Sequence, residues 1–364
     1  MTLESLLPRI TQVHLDSIDE PAAYIGAAGF EDRALSVLEK AAQISKRFKY
    51  VIGIQYEPFD ERNRVQEFTA KAKNLDVPEM QVKWVTYDRY SPQEFLGVSG
   101  EIQTIANEVS SLVVDISAMS KFLIVTLLQS LRNVKCRVEI TYAEADVYHP
   151  TKDMFDWHKQ VLPPEKAPEF LTTDIYKIVT TTSLSSFSMQ GYPVLMVAFP
   201  TFNYRELLAL LNEMTPQHLF LLEGKPHEDH DAWRLDAIRW VNKNSEDNAL
   251  DKQTVSTFDY LETIVALEEI YQRFHHSHKL IVSPTGSKLQ TFGVFLFRQM
   301  RPDTQLVYPV TRRFASEYTS GCRAIWQVSI HCLPDLMRQL DTYRKWSLHT
   351  LKEAIRLKSQ EQRS

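Results

Sequence analysis

The chain is 364 residues long, 44% hydrophobic and 24% charged, which as a prior means two ordinary domains or one large one and excludes disordered and fibrous classes. Its 41 Lys and Arg stand against 46 Asp and Glu, so the formal charge of -5 excludes a global basic field for gripping a nucleic-acid backbone, while leaving room for a local patch. No apolar run approaches the ~20 residues of a bilayer span. The N-terminus shows no basic region followed by an apolar stretch and a cleavage site, so a cytoplasmic protein without a membrane partner is expected. Cys136, Cys322 and Cys332 lack the close pairing of zinc or redox motifs and read as reduced, mostly buried thiols.

In chain order, a short strand is predicted from Ala22 to Ala28, then an amphipathic helix from about Asp32 to Lys46. A strand at Tyr50–Tyr56, a polar helix near 61–74, a strand at 81–87 and a helix near 92–108 follow. Ser111–Ser117 reads as a buried strand running into a turn, Met119–Arg132 as an apolar helix and Arg137–Tyr142 as the next strand. Strands alternating with helices at this spacing argue for βαβ units and a parallel sheet. Residues 149–170, with Pro163-Pro164 and Pro168 among Lys and Glu, read as a linker.

The same course then runs again: strands at 194–199, 218–222, 254–258, 279–283 and 305–308, with helices near 204–214, 231–242, 261–274 and 288–300 between them. The landmarks keep step. Arg33 corresponds to Arg205, Pro58 to Pro226, Asp88 to Asp259, Lys121 to Lys288 and Tyr142 to Tyr308, all separated by 166 to 172 residues. The expected architecture is therefore α/β, two tandem Rossmann-like parallel-sheet halves related by internal duplication, plus a C-terminal helix. The boundaries are 1–148 for the first half, 149–192 for the linker and connecting strand, 193–332 for the second half and 333–364 for the helix. Ala324–Ile330 reads as one more strand. The helix, over Pro334–Lys358, sets Leu336, Leu340, Trp346, Leu351 and Ile355 among Arg338, Arg344, Lys345, Lys352, Arg356 and Lys358, and reads as a docking surface for a protein partner or, less readily, as a nucleic-acid arm.

In an open parallel sheet, ligands bind outside the carboxyl ends of the strands near the switch point of strand order. Two turns stand out there: Asp115-Ile-Ser117-Ala-Met-Ser120-Lys121 and Ser283-Pro-Thr285-Gly286-Ser287-Lys288. A small-residue turn entering a helix exposes backbone N–H groups at the positive end of the dipole, and a hydroxyl and an ammonium add donors. That is a cradle for phosphate or carboxylate, while simple N-capping by Ser117 or Thr285 beside a solvated lysine is the bland alternative. Arg33 and Arg312 lie where they could pair with the same anion. The expected partner is a phosphorylated small molecule or nucleotide, with no cofactor required.

These two turns resemble the strand–turn–helix motif of CRISPR-associated Rossmann-fold (CARF) sensor domains, and their pairing is similar to the fused two-half, SAVED-like sensors of bacterial defence. The resemblance covers roughly residues 22–145 and 193–315. It implies binding of a cyclic oligonucleotide across the two halves, as a sensing or regulatory subunit of an antiviral system. The usual glycine pair of the turn is Ala118-Met119 in the first half and Thr285-Gly286 in the second.

An enzyme is the alternative. Glu31, Asp88 and Asp115 fall at predicted strand ends, where carboxylates could act as general base or hold a divalent metal for a nucleotide-processing hydrolase. Their counterparts Asn203, Asp259 and Val282 suggest a more acidic first crevice and a more basic second one, with an anion closer to Lys288 than to Glu31. A third reading is a non-catalytic scaffold subunit. His227-Glu-Asp-His230 and His275-His276-Ser-His278 match no zinc spacing.

Overall fold

A computed structural model describes residues 3–361 apart from 76, 78–80 and 316, leaving out the side chains of 165 and 348–361. The strands are β1 (Ile10–Gln12), β2 (Ala22–Ala27), β3 (Tyr50–Glu57), β4 (Val82–Asp88), β5 (Ser111–Asp115), β6 (Arg137–Glu144), β7 (Val147–Tyr148) and β8 (Thr172–Val179). They continue as β9 (Val194–Ala198), β10 (His218–Lys225), β11 (Asp251–Ser256), β12 (Lys279–Ser283), β13 (Gln305–Leu306), β14 (Tyr308–Phe314), β15 (Thr319–Ser320) and β16 (Ala324–Ile330). The helices are α1 (Leu3–Leu6), α2 (Ser36–Gln43), α3 (Val65–Lys73), α4 (Phe95–Asn107), α5 (Lys121–Leu131) and α6 (Lys152–Val161). After them come α7 (Tyr204–Met214), α8 (Trp233–Val241), α9 (Lys243–Glu246), α10 (Tyr260–Phe274), α11 (Lys288–Met300) and α12 (Leu333–Glu361).

The protein is mixed α/β. One sheet of seven strands runs β1-β16-β6-β5-β2-β3-β4, and one of five runs β11-β10-β9-β12-β13. Counted within each run of five parallel strands, both have the order 3-2-1-4-5, the doubly wound arrangement with its switch point between strands 1 and 4. In each sheet strand 1 is apolar along its length because helices cover both faces: β2 is buried at all six positions.

The two sheets share one core. Ile25 and Val114 of the first, Leu195 and Val282 of the second, and Phe122, Leu127, Phe292 and Phe295 of α5 and α11 belong to a single buried cluster. Helices α5 and α11 pack on each other, and Gln299 Nε2 donates to Gln129 Oε1 at 2.8 Å across that contact. Each fully buried Phe there contributes roughly 2–3 kcal/mol of transfer free energy, so this contact ties the two sheets to each other.

Three segments depart from the sequence reading. Strand β16, within the stretch assigned to the second half, pairs antiparallel with β6 and completes the first sheet. The expected linker is ordered: α6 carries Phe155 into a small cluster with Phe170, Phe202, Ala237 and Val241, and β8 pairs with β14. Helix α12 buries Leu333, Leu336 and Leu340 against the shared core, so its first turns dock within the chain. Leu351, Lys352, Ile355, Arg356 and Lys358 lie outside the described side chains. Among the described residues no helix is long and apolar enough to cross a membrane.

Candidate functional site: a crevice between two Ser-Lys turns

The turn after β5 is fastened from inside. Asp115, buried at the strand end, accepts hydrogen bonds from Tyr24 Oη (2.8 Å), from the Ser117 N–H (3.0 Å) and from Ser117 Oγ. Ser117 Oγ in turn accepts from the Ala143 N–H at 2.7 Å, tying the turn to β6. Burial pushes the Asp115 carboxyl up to about 6, with Ser117, Tyr24 and Arg33 opposing. Ser120 caps α5 by accepting from the Leu123 N–H (3.3 Å), and its own N–H donates to Tyr56 Oη (2.7 Å).

The turn after β12 repeats this logic with other atoms. Thr285 Oγ1 donates to the Phe199 carbonyl (2.8 Å) and accepts from the Phe199 N–H (3.2 Å), which stitches the turn to the end of β9. Ser287 and Gln290 form a reciprocal capping box: Ser287 Oγ accepts from the Gln290 N–H at 3.0 Å, and the Ser287 N–H donates to Gln290 Oε1 at 2.8 Å. Gly286 is required by space, since a Cβ there would collide with Gln290 Oε1 and crowd the Phe199 ring at 3.0 Å.

Two expectations are corrected by these bonds. The helix caps are Ser120 and Ser287, not Ser117 or Thr285, whose side chains bridge to neighbouring strands. The Ser120 and Ser287 amides are already engaged, so the anion cradle is narrower than the turns suggest and rests on the two ammonium groups. A lysine placed first in a helix projects its long chain past the turn, and here both project into the space between the sheets.

Two adjoining cavities, of about 80 and 230 Å³, open there and share Lys121, Lys288 and Tyr318 as lining residues. The smaller is aromatic, with Phe30, Tyr56, Tyr308, Phe314 and Tyr318 around Glu31, Ser120, Asn63 and Arg89. The larger is polar and holds Arg33, Asn203, Glu206, Thr285, Gly286 and Ser287, with Arg234, Glu228 and Phe258 at its far side.

The electrostatics cross from one half to the other. Lys288, from the second turn, reaches Glu31 of the first half, Nζ to Oε1 at 3.3 Å. Glu31 is held by Arg33, whose Nη2 and Nε donate to its Oε2 at 2.7 and 2.9 Å, and by Thr319 Oγ1 at 2.7 Å. Arg33 also donates from Nη1 to Tyr142 Oη and to the Ala143 carbonyl, both at 3.1 Å. Burial opposes ionisation of Glu31, yet Arg33, Lys288 and Thr319 hold its carboxyl at about 2. Burial pushes the Lys288 ammonium down to about 8; Arg33 and Lys121 add to this and Glu31 opposes it. Lys121 is also shifted down, by burial, against the pull of Glu206 and Glu31. Among the described residues the Lys121 ammonium has no hydrogen-bond or ion-pair partner. Glu206, in α7 of the second half, is shifted up by burial, with Lys121 the first opposing charge.

The structure thus brings Glu31, Arg33, Ser120, Lys121, Thr285, Gly286, Ser287 and Lys288 to one crevice. Asp115 and Ser117 are buried behind it. Asp88 accepts from the Tyr90 N–H at 2.7 Å and lines neither cavity. Arg312 is exposed, its guanidinium 5.0 Å from the Tyr176 ring, and lies outside the crevice. The halves are not divided into acidic and basic crevices, because the first half's carboxylate meets the second half's ammonium. Among the described residues no group of three or more His, Cys, Asp or Glu side chains is placed to hold a metal ion. Sequence reasoning missed Glu206, Tyr308, Tyr318 and Thr319. Tyr308 ends the strand expected at 305–308 and begins β14, while Tyr318 and Thr319 lie in the stretch between it and the strand expected at Ala324–Ile330, whose sequence signal is a Tyr- and Arg-rich run.

The chain matches no family model and no curated protein sequence. Among solved structures, one titled "AtPrR2 in apo form" is similar over 71% of this chain and 88% of that chain, at 11% identity and a TM-score of 0.22. Likeness that loose says nothing about chemistry.

Proposed function

We propose that this protein is a nucleotide-signal sensing or regulatory module, which holds a phosphorylated ligand between the Ser-Lys turns of two duplicated Rossmann-like halves. The observation that carries the reading is the convergence of Lys121 and Lys288 on one crevice, beside an aromatic cavity and a polar one. A half-buried ammonium that no described carboxylate touches favours an incoming anion, and aromatic walls beside it suit a nucleobase. Identical 3-2-1-4-5 strand orders and the in-step landmarks support the duplication. The resemblance of both turns to CARF-type sensors supports a cyclic oligonucleotide as ligand and a cytoplasmic defence system as the setting.

The hydrolase reading is less favoured. Asp115 is spent on Tyr24 and Ser117, Asp88 lies off the cavities, and Glu31 is a weak base while Arg33 and Lys288 hold it ionised. The test is thermal unfolding of the full chain against a panel of cyclic and linear nucleotides. At least one member is expected to raise the midpoint with the logarithm of its concentration above its Kd, and Lys121→Ala to abolish the rise. A rise that survives both Lys121→Ala and Lys288→Ala, or no rise with any nucleotide, overturns the reading.

A further inference from the structure

Two of the three cysteines meet at the end of the first sheet that lies away from the crevice. Strand β16 runs antiparallel to β6, and their register pairs Tyr142 with Trp326, Ile140 with Val328 and Val138 with Ile330. These pairs face the core that the sheets share, as does Cys136. The intervening residues face the other way, where Ser329 Oγ donates to Glu139 Oε2 at 2.6 Å and His331 acts electrostatically on the same carboxylate. The alternation therefore runs on past the last paired residues, and one further step along both strands sets Cys136 opposite Cys332 on the core side. Directly opposed residues of antiparallel strands have Cα atoms about 4.5–5.5 Å apart, within the roughly 4.4–6.8 Å that a disulfide spans. The proximity is felt electrostatically: burial pushes the Cys136 thiol up to about 11, and Cys332 adds to the rise.

Backbone hydrogen bonds hold both residues in place. The Arg137 N–H donates to the Ser110 carbonyl at 3.0 Å, and the Leu336 N–H donates to the Cys332 carbonyl at 3.1 Å, at the start of α12. Their surroundings differ. Cys136 is buried, whereas Cys332 is half-buried and opens on a groove of about 660 Å³. The charged residues lining that groove are Arg132, Lys135 and Arg338 and one carboxylate, Asp335, which pairs with Arg338.

We infer that Cys136 and Cys332 form a reversible cross-strand disulfide when the chain meets an acidic low-molecular-weight disulfide such as oxidised glutathione. The Cys332 thiolate attacks one sulfur of the reagent and expels a first glutathione thiolate, which leaves a mixed disulfide on Cys332. Cys136 then gives its proton to solvent and attacks the Cys332 sulfur, and the second glutathione thiolate departs and takes up a proton. Two protein thiols are oxidised and one reagent disulfide is reduced to two thiols. Cys332 reacts first because the reagent can reach it and the basic groove attracts the reagent's carboxylates. The bond ties the junction of β16 and α12 to the start of β6 and is independent of the crevice, which lies at the other end of that strand. Cys322 supplies the control: it precedes β16, its thiol donates to the Ala324 carbonyl at 3.8 Å, and the seven residues of the strand set it roughly 20 Å from Cys332.

The experiment incubates the full chain with oxidised glutathione at pH 8.5, quenches with acid, alkylates in urea and maps the peptides by mass spectrometry. The expected product yields a peptide pair joined through Cys136 and Cys332, and dithiothreitol restores both thiols. Cys332→Ser is expected to prevent the bond, and Cys322→Ser to leave its yield unchanged. A glutathione adduct that stays on Cys332, a bond through Cys322 or between two chains, or Cys136 and Cys332 both still free overturns the inference. The wild-type map decides even where a variant fails to fold.

Discussion

Lys288 and Arg33 touch the same carboxylate, yet they should have opposite value for folding, and substituting each by methionine separates them. The drop of the Glu31 carboxyl from 4.5 to about 2 corresponds to ~3 kcal/mol of stability, present above pH 4.5 and lost as the pH falls toward 2. The fall of the Lys288 ammonium from 10.5 to about 8 has the other sign: below pH 8 its charge costs ~3 kcal/mol of stability. Lys288→Met removes that cost and leaves Glu31 with Arg33 and Thr319, so its stability at pH 7 should stay within about 1 kcal/mol of wild type. Arg33→Met strips two donors from a buried carboxylate and orphans Tyr142 Oη and the Ala143 carbonyl, a loss of about 3–5 kcal/mol. The assay is urea unfolding followed by fluorescence, with the slopes compared so that midpoints report stability. Between pH 8 and 10.5 the folded chain has released the Lys288 proton that the unfolded chain still holds. Wild type should gain ~3 kcal/mol over that window relative to Lys288→Met. Equal losses for the two variants at pH 7, or parallel pH curves above 8, would show that Lys288 is structural and refute the reasoning.

Asp115→Asn should leave the nucleotide-induced rise in unfolding temperature intact, because this carboxylate faces Tyr24 and Ser117 behind the crevice; a lost rise would return it to the site. Its carboxyl is raised from 3.8 to about 6, so wild type should gain stability relative to Asp115→Asn as the pH falls from 7 toward 4, and a flat difference would contradict the assigned burial. Asn203→Asp copies the Glu31 carboxylate to the corresponding place in the second half, and calorimetry should find nucleotide binding weakened by roughly tenfold as Lys121 gains a counter-charge. Unchanged affinity there would place residue 203 beyond the reach of Lys121.

Much of the scaffold was legible because periodicity is local. Helix α11 was expected at 288–300 and α7 at 204–214, where the structure has them, and both begin beside an unmistakable polar turn. What failed was non-local. Nothing in Ala324–Ile330 says which sheet it joins; the pairing with β6 is decided by an edge formed some 180 residues earlier. Residues 149–170 looked like a linker because prolines and charges dominate the count, whereas Phe155 alone, packed on Phe170, Phe202, Trp233 and Trp240, is enough to fix that segment to the second half.

The site divides along the same line. The Ser-Lys turns could be read because the chemistry sits within seven consecutive residues, and the structure keeps both of them at switch points. Which charge meets which could not be read, since Glu31 and Lys288 are 257 residues apart and belong to different sheets. The crossing itself explains why the halves need not match. Lys288 reaches the loop after strand 1 of the other sheet, while Lys121 shares the larger cavity with Asn203, of the loop after β9. Where that loop carries Glu31, the ammonium is compensated; where it carries Asn203, whose amide donates to Thr172 instead, the ammonium of Lys121 is left over. An amide at position 203, where the corresponding loop of the first sheet has a carboxylate, leaves the Lys121 ammonium without the close ion pair that Lys288 makes.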